Sequence, residues 1–234
     1  MKYKAIFFDV GDTLLENFPS ESQIYIDRIK GLGFEINEQV ATVITKVIAT
    51  ASQEQIIKEQ NGAVRMPDED FIAMIDKAVL SCVDAKAKNF DLLEKLRGVP
   101  LPQQELRVIP GTIEVLKSIK DAGFRLGIVS NHRVWLPDYL SKIGLSIFFE
   151  TIVVSDIVGV EKPNIQIMAI ALNNLALNAS DCLYVGDHPF DVLCAKDAGM
   201  DCAWLATPDS RLPDSVPYKE NYRIKKLQEL LGVL

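Results

Sequence analysis

From Pro110 to Leu205 the chain alternates short apolar runs with stretches of helical length, and few folds accept that pattern. Arg125–Val129 (R-L-G-I-V), Thr151–Val154, Cys182–Val185 (C-L-Y-V) and Cys202–Leu205 read as buried strands. Between them Gly111–Ala122, about Val134–Ile143, Pro163–Leu175 and about Pro189–Ala198 read as helices, three of them closed by Gly123, Gly144 and Gly199. Runs of four to six apolar residues bounded by turn residues are too short for buried helices. Strands joined by single helices make a parallel sheet with right-handed crossovers. One more apolar run, Ala5–Phe8, stands at the start of the chain and supplies a further strand. The expectation is an α/β fold built on a doubly wound parallel sheet. A last helix is expected over Ile224–Leu231, and Pro208–Pro217, with three prolines, reads as a surface loop.

Between the first strand and this alternating part lies a different pattern. Pro19 to about Arg97 shows helical periodicity with little strand signal. Asn37 can cap a helix whose apolar face carries Val40, Val43, Ile44, Val47 and Ile48. Pro67-Asp68-Glu69-Asp70 marks another helix start, with Phe71, Ile72, Ile75, Val79 and Leu80 as its stripe. Phe90–Leu96 reads as one more helix. The domain boundaries expected are residues 1–15 with 108–234 for the α/β core and 16–107 for an inserted helical module. An insertion directly after the first strand is well placed to serve as a lid.

Composition narrows the function classes. The 234 residues are 48% hydrophobic and 24% charged, enough to bury a core. A net charge of -7 offers no basic stripe for nucleic acid, so no nucleic-acid partner is expected. The four cysteines show no C-x-x-C spacing and read as buried, reduced thiols. Asp9 interrupts the N-terminal apolar run before it is long enough for a signal core or a membrane span. A cytoplasmic protein without a membrane partner is expected. No G-x-G-x-x-G or G-x-x-x-x-G-K-[ST] supports nucleotide binding. The sequence is silent on oligomeric state.

Parallel strands bring their carboxyl ends to one edge, where open α/β sheets bind ligands. That edge gathers Asp9, Ser130, Asn131 and Asp187, with Asp191 one helical turn further on and Lys162 in the loop Val160-Glu161-Lys162-Pro163. Three converging carboxylates need a cation, and an oxygen-only set suits Mg²⁺. Lys162 can offset the charge of a nucleophilic carboxylate and of a phosphoryl oxygen, while Ser130 and Asn131 offer neutral donors. A carboxylate nucleophile beside Mg²⁺ is equipped to form an aspartyl phosphate. His132 and His188 read as rim or capping residues, and Arg133 and Trp135 as a solvated first helical turn.

Four blocks, in order, resemble the haloacid dehalogenase (HAD) superfamily of hydrolases: Phe8-Asp9-Val10-Gly11-Asp12-Thr13-Leu14, Val129-Ser130-Asn131, Gly159-Val160-Glu161-Lys162-Pro163, and Val185-Gly186-Asp187 through Asp191 with Ala198-Gly199 behind. The resemblance implies a HAD core with a helical cap, and a small phosphorylated substrate. It implies Asp9 as nucleophile and metal ligand, the Gly11 backbone carbonyl as a second ligand, and Asp187 and Asp191 holding Mg²⁺. It further implies that Ser130 binds the phosphoryl group and that Lys162 orients it.

One position departs from the pattern. Phosphatases of the family usually read D-x-D-G-T, with the second Asp as general acid and base. Here Gly11 stands at that place and Asp12 at the usual glycine. Three readings follow: Asp12 substitutes, the enzyme acts without a dedicated acid, or turnover is lost and the site binds a phosphorylated ligand or protein partner. A turn residue bonded to its own backbone is the ordinary alternative for Asp12. Dehalogenases also lack the second Asp, but they need no metal. The pairing of Asp187 with Asp191 favours Mg²⁺ over carbon–halogen hydrolysis.

Overall fold

The computed structural model describes residues 2–60, 64, 66–83, 90–100, 102–206, 211–213 and 216–234. The strands are β1 (Ala5–Phe8), β2 (Leu15–Phe18), β3 (Glu105–Val108), β4 (Arg125–Ser130), β5 (Thr151–Val154), β6 (Cys182–Gly186), β7 (Asp201–Leu205) and β8 (Tyr222–Ile224). The helices are α1 (Glu21–Gly31), α2 (Glu38–Gln60), α3 (Asp68–Val83), α4 (Phe90–Gly98), α5 (Thr112–Asp121), α6 (Leu136–Lys142), α7 (Ser155–Val158), α8 (Gln166–Leu175) and α9 (Pro189–Asp197). The chain divides into two compact units, Met1–Glu16 with Arg107–Leu234, and Asn17–Leu106.

The first unit is built on a six-stranded sheet in the order β5-β4-β1-β6-β7-β8. Every pairing in it is parallel, as expected from the strand–helix alternation. From β1 the chain winds outward first through β4 and β5, then restarts on the other side with β6. The strand order therefore reverses between β1 and β6, and the crevice that opens at such a reversal is where doubly wound sheets take ligands.

Strand alternation sorts the side chains by face. Phe7, Val129, Val153, Tyr184 and Trp204 form one core cluster with Ile167, Met168 and Ala171 of α8 and Val192 and Ala195 of α9. Ile6, Phe8, Ile128, Leu183 and Val185, equally buried, alternate to the opposite face. Asp9 shares the parity of Phe7, so strand geometry aims it to the face of Tyr184, α8 and α9.

The second unit is helical, with β2 and β3 as a two-stranded sheet where the chain enters and leaves it. Asn37 receives the Val40 N–H at 2.9 Å, as its capping pattern predicts. Ile29, Ile44, Ile48, Ile75, Val79, Leu80 and Leu96 form its core. Val43 and Ile72, expected on the apolar stripes, face solvent instead. A buried ion pair that hydropathy could not reveal joins Arg28 to Asp76 at 3.3 Å, and Arg28 also donates to the Leu96 carbonyl at 2.6 Å.

The C-terminal expectation needs correction. Ile224–Leu231 is not one helix: Tyr222–Ile224 is the edge strand β8, and Leu227–Gly232 is a 3₁₀ stretch. Ile224, Leu227 and Leu230 are buried at helix-like spacing, but the Tyr222 hydroxyl bonds to that of Tyr3 and the Arg223 guanidinium stacks over Trp204. Tertiary partners override the local period. β2 (L-E-N-F) and β3 (E-L-R-V) are too short and too polar to read as strands from sequence. Residues 207–210 and 214–215 of the expected Pro208–Pro217 loop lie outside the described residues. No described helix is long and apolar enough to cross a membrane.

Candidate active site

Asp9 leaves β1 at the strand reversal, its backbone N–H bonded to the Val185 carbonyl at 2.9 Å. The chain then folds into a tight loop over the Val10 carbonyl, which accepts from Leu14 and Leu15 at 2.9 Å each. Asp12 adopts the left-handed conformation, with φ 49°, and its N–H closes the loop on the Leu15 carbonyl at 2.7 Å. The turn-residue reading of Asp12 is corrected on this point. The backbone N–H closes the turn, while the exposed Asp12 carboxylate makes no hydrogen bond or ion pair among the described residues. Desolvation by the crowding chain, then the Asp9 and Glu16 charges, raise its pKa.

Lys162 is the hub of the site. Its buried Nζ donates to Asp9 Oδ1 at 2.7 Å, to Asp191 Oδ1 at 2.7 Å and to the Tyr184 hydroxyl at 3.0 Å. Burial works against its charge, and the Asp191 and Asp9 carboxylates overcome this, holding the ammonium above its ordinary pKa. The other carboxylate oxygen of Asp191, Oδ2, accepts from the His188 N–H at 2.9 Å.

That bond is half of a capping box on α9, in which His188 Nδ1 accepts from the Phe190 N–H at 3.2 Å. Acceptance at Nδ1 fixes the neutral, Nε2-protonated tautomer, and burial followed by the Lys162 charge pushes the imidazole pKa down to about 4. His188 thus fills the capping role read from its position. His132 sits on the rim, edge-on to Trp135 with ring centroids 4.8 Å apart, and Trp135 is half exposed.

Asp187 completes the cluster. Thr13, fully buried, donates to Asp187 Oδ1 at 3.2 Å, and Trp204 Nε1 donates to the Asp187 carbonyl at 2.6 Å. Burial, then the Asp191, Asp9 and Asp12 charges, raise the Asp187 carboxyl well above the ordinary range. One carboxylate oxygen from each of Asp9, Asp187 and Asp191 lies within 4.8 Å of the others. Three carboxylates against the single Lys162 ammonium leave a formal charge of -2, from -3 and +1, which one divalent cation would cancel. The all-oxygen donor set and this charge fit a hard divalent ion.

Ser130 and Asn131, adjacent in sequence, do different things. The buried Ser130 hydroxyl makes no hydrogen bond among the described residues. The Asn131 amide bonds to Lys162 twice: Nδ2 donates to the Lys162 carbonyl at 2.9 Å and Oδ1 accepts the Lys162 N–H at 2.7 Å. Asn131 thus grips the backbone of Lys162 in both directions. Gly11 is exposed at the mouth of the loop. Sequence reading missed Tyr184, Thr13 and Trp204. Tyr184 carries a usable signal, a hydroxyl inside an otherwise apolar central strand just ahead of the Gly186-Asp187 pair.

Comparison with known proteins adds the lineage. The family model for haloacid dehalogenase-like hydrolases matches residues 6–205. A protein of Methanocaldococcus jannaschii named glyceraldehyde 3-phosphate phosphatase is 26% identical over 239 residues, covering 99% of this chain and 96% of that one. Pyrophosphatase PpaX of Bacillus velezensis is 32% identical over 121 residues, 51% of this chain and 56% of its own. Among solved structures, a HAD phosphatase from Thermococcus onnurineus superposes with a TM-score of 0.57 at 26% identity, covering 98% of this chain and 97% of that one. The HAD-hydrolase YfnB of Bacillus subtilis, described as bound to magnesium, gives 0.64 at 23% identity, with 100% and 99% covered.

Proposed function

The chain belongs to the haloacid dehalogenase-like hydrolase family, and from that premise we propose that it is a Mg²⁺-dependent phosphatase of small phosphorylated metabolites. The observation that carries the reading is the setting of Asp9. Its carboxylate stands at the strand reversal, 2.7 Å from a buried ammonium and within 4.8 Å of two further carboxylates. The ammonium holds one carboxylate oxygen of Asp9 in place, and the carboxylate is positioned to act as a nucleophile.

In the proposed reaction an Asp9 carboxylate oxygen attacks phosphorus in line. The bond from phosphorus to the leaving oxygen breaks, and that oxygen departs with the electron pair. Water then attacks the aspartyl phosphate, releasing inorganic phosphate and restoring the carboxylate. Lys162 and the Ser130 hydroxyl face the phosphoryl oxygens, and Asn131 holds Lys162 in register. Asp9, the Gly11 carbonyl, Asp187 and Asp191 would hold Mg²⁺, which supplies charge neutralisation of the phosphoryl group. The helical unit, inserted between the Asp9 loop and the remaining strands, is proposed as the cap that excludes water and selects substrate.

Gly11 sharpens the substrate class. With no side chain there to protonate the leaving oxygen, the site favours groups that are stable as anions, such as aryl, acyl or phosphoryl leaving groups. Triose phosphates, whose alkoxide leaving group lacks that stability, join the panel as the opposing case, because a relative matched over nearly its whole length is named for one. A panel of phosphorylated metabolites with Mg²⁺, glyceraldehyde 3-phosphate included, tests the reading by released phosphate. One substrate turned over by the wild type and not by Asp9→Asn supports it. A panel silent throughout, with phosphate-analogue binding retained, would instead establish the second reading that Gly11 favours, a phospho-ligand binding protein.

A further inference from the structure

An ammonium has three protons, and in this structure all three of Lys162's are already assigned. Two go to carboxylates, at Asp9 and Asp191, and the third goes to the Tyr184 hydroxyl at 3.0 Å. Tyr184 is itself fixed. It is fully buried in β6, and its hydroxyl donates to the Val129 carbonyl of β4 at 2.6 Å, bridging over β1, which lies between those strands. Because its own proton points to Val129, its lone pairs face the ammonium. At the other end of the lysine, Asn131 grips the backbone in both directions, at 2.9 and 2.7 Å. A side chain with four rotatable carbons is thereby pinned at root and tip.

We propose that Tyr184 is a positioning residue for the reaction: a neutral acceptor that holds Lys162 in place while its bond to Asp9 is exchanged for one to the phosphoryl group. The inference rests on the phosphatase reading given above. To reach a phosphoryl oxygen, Lys162 must give up one acceptor. Asp9 is the partner whose negative charge disappears as its oxygen bonds to phosphorus, so that bond is released. Asp191 and Tyr184 remain and keep the ammonium from following the departing charge. A phenylalanine at 184 would leave one N–H without an acceptor in a buried site, and a carboxylate there would add a charge. A phenol whose proton is spoken for by a backbone carbonyl meets the requirement without either fault.

The test is a double-mutant cycle on an aryl phosphate with Mg²⁺, using wild type, Tyr184→Phe, Lys162→Ala and the double variant. A lost hydrogen bond to a charged group predicts a kcat lower by about tenfold or more in Tyr184→Phe, with KM changed less than about twofold. In the Lys162→Ala background the same substitution should change kcat by less than about twofold, because the effect travels through the lysine. Full activity in Tyr184→Phe, or an equal loss in both backgrounds, would overturn the proposal. Tyr184→Leu, which equally lacks the acceptor, repeats the cycle if Tyr184→Phe does not fold. A second readout needs no turnover: in protein carrying ¹⁵Nζ-lysine, Lys162 should give a protected ammonium signal that Lys162→Ala removes. Tyr184→Phe should speed its proton exchange by about tenfold; an unchanged rate overturns the inference even where no phosphate ester is cleaved. A wild type inactive on every ester, with the protected signal present and sensitive to Tyr184→Phe, would refute the phosphatase reading while leaving the lysine holder in place.

Discussion

Gly186 and Asp191 occupy adjoining space so closely that a Cβ on Gly186 would collide with the Asp191 carboxylate. Glycine is required there by a neighbour and not by a backbone angle, since Gly186 is absent from the left-handed residues. Gly186→Ala should push the Asp191 carboxylate off both its bonds, to Lys162 Nζ at 2.7 Å and to the His188 N–H at 2.9 Å. The expected cost is about 1–3 kcal/mol from overpacking, together with loss of turnover. Urea denaturation and aryl phosphate kinetics read the two effects separately.

Removing the Lys162 ammonium leaves Asp9 and Asp191 facing each other across a buried site. Lys162→Met should destabilise the fold by about 3–5 kcal/mol, the usual result of orphaning buried charge. Denaturant midpoints in metal-free buffer measure it. A loss under about 1 kcal/mol would mean that Asp9 and Asp191 find protons or water instead of needing the lysine.

Gly11 has room for a side chain. A Cβ there meets nothing within 4 Å, and its φ is not in the left-handed region. Gly11→Asp should fold normally and raise the rate on alkyl phosphates relative to aryl phosphates. General acid catalysis of a poor leaving group is typically worth about 10²–10⁴, so a rise in that ratio above about tenfold is expected. An unchanged ratio would show that position 11 does not address the leaving oxygen.

Magnesium should stabilise the protein through the carboxylate cluster. At a free concentration near 100 times Kd, binding adds about 2.7 kcal/mol to the folded state. Thermal melts with Mg²⁺ and with chelator should therefore differ by several degrees in the wild type and coincide in Asp187→Asn.

The thiols should be inert in the native protein. Burial pushes Cys182 up to about 11 and Cys194 up to about 12, and raises Cys202 well above the ordinary thiol value. At pH 8 all three are protonated and inaccessible, so a thiol-specific disulfide reagent should label none of them until the protein unfolds. The half-buried Cys82 is the one candidate for native labelling.

What the sequence made legible follows from how each feature is encoded. The parallel sheet and the edge carrying Asp9, Ser130, Lys162 and Asp187 could be read, because each strand is an apolar run ending in a polar residue. Asn131 and Tyr184 could not be assigned their contacts, since both act on Lys162 across 31 and 22 residues of chain. Nothing local distinguishes an amide aimed at a backbone from one aimed at a ligand. Asp12 was misread for a related reason: its left-handed φ of 49° turns the backbone N–H inward to Leu15 and frees the carboxylate. Ile224 to Leu230 imitated a helix because three buried positions fell at its period, while the partners that make Tyr222–Ile224 a strand, Ala203 to Leu205, lie about twenty residues upstream.

The central claim is that Asp9 carries the phosphoryl group, and a trapping experiment addresses it directly. The wild type is mixed with a ³²P-labelled substrate from the metabolite panel in the presence of Mg²⁺, quenched in acid within the first turnover, and mapped by peptide mass spectrometry. The account predicts label on the peptide containing Asp9, sensitive to hydroxylamine as an acyl phosphate, and absent from Asp9→Asn along with steady-state turnover. Turnover in Asp9→Asn equal to that of the wild type, or label on any other residue, would contradict it.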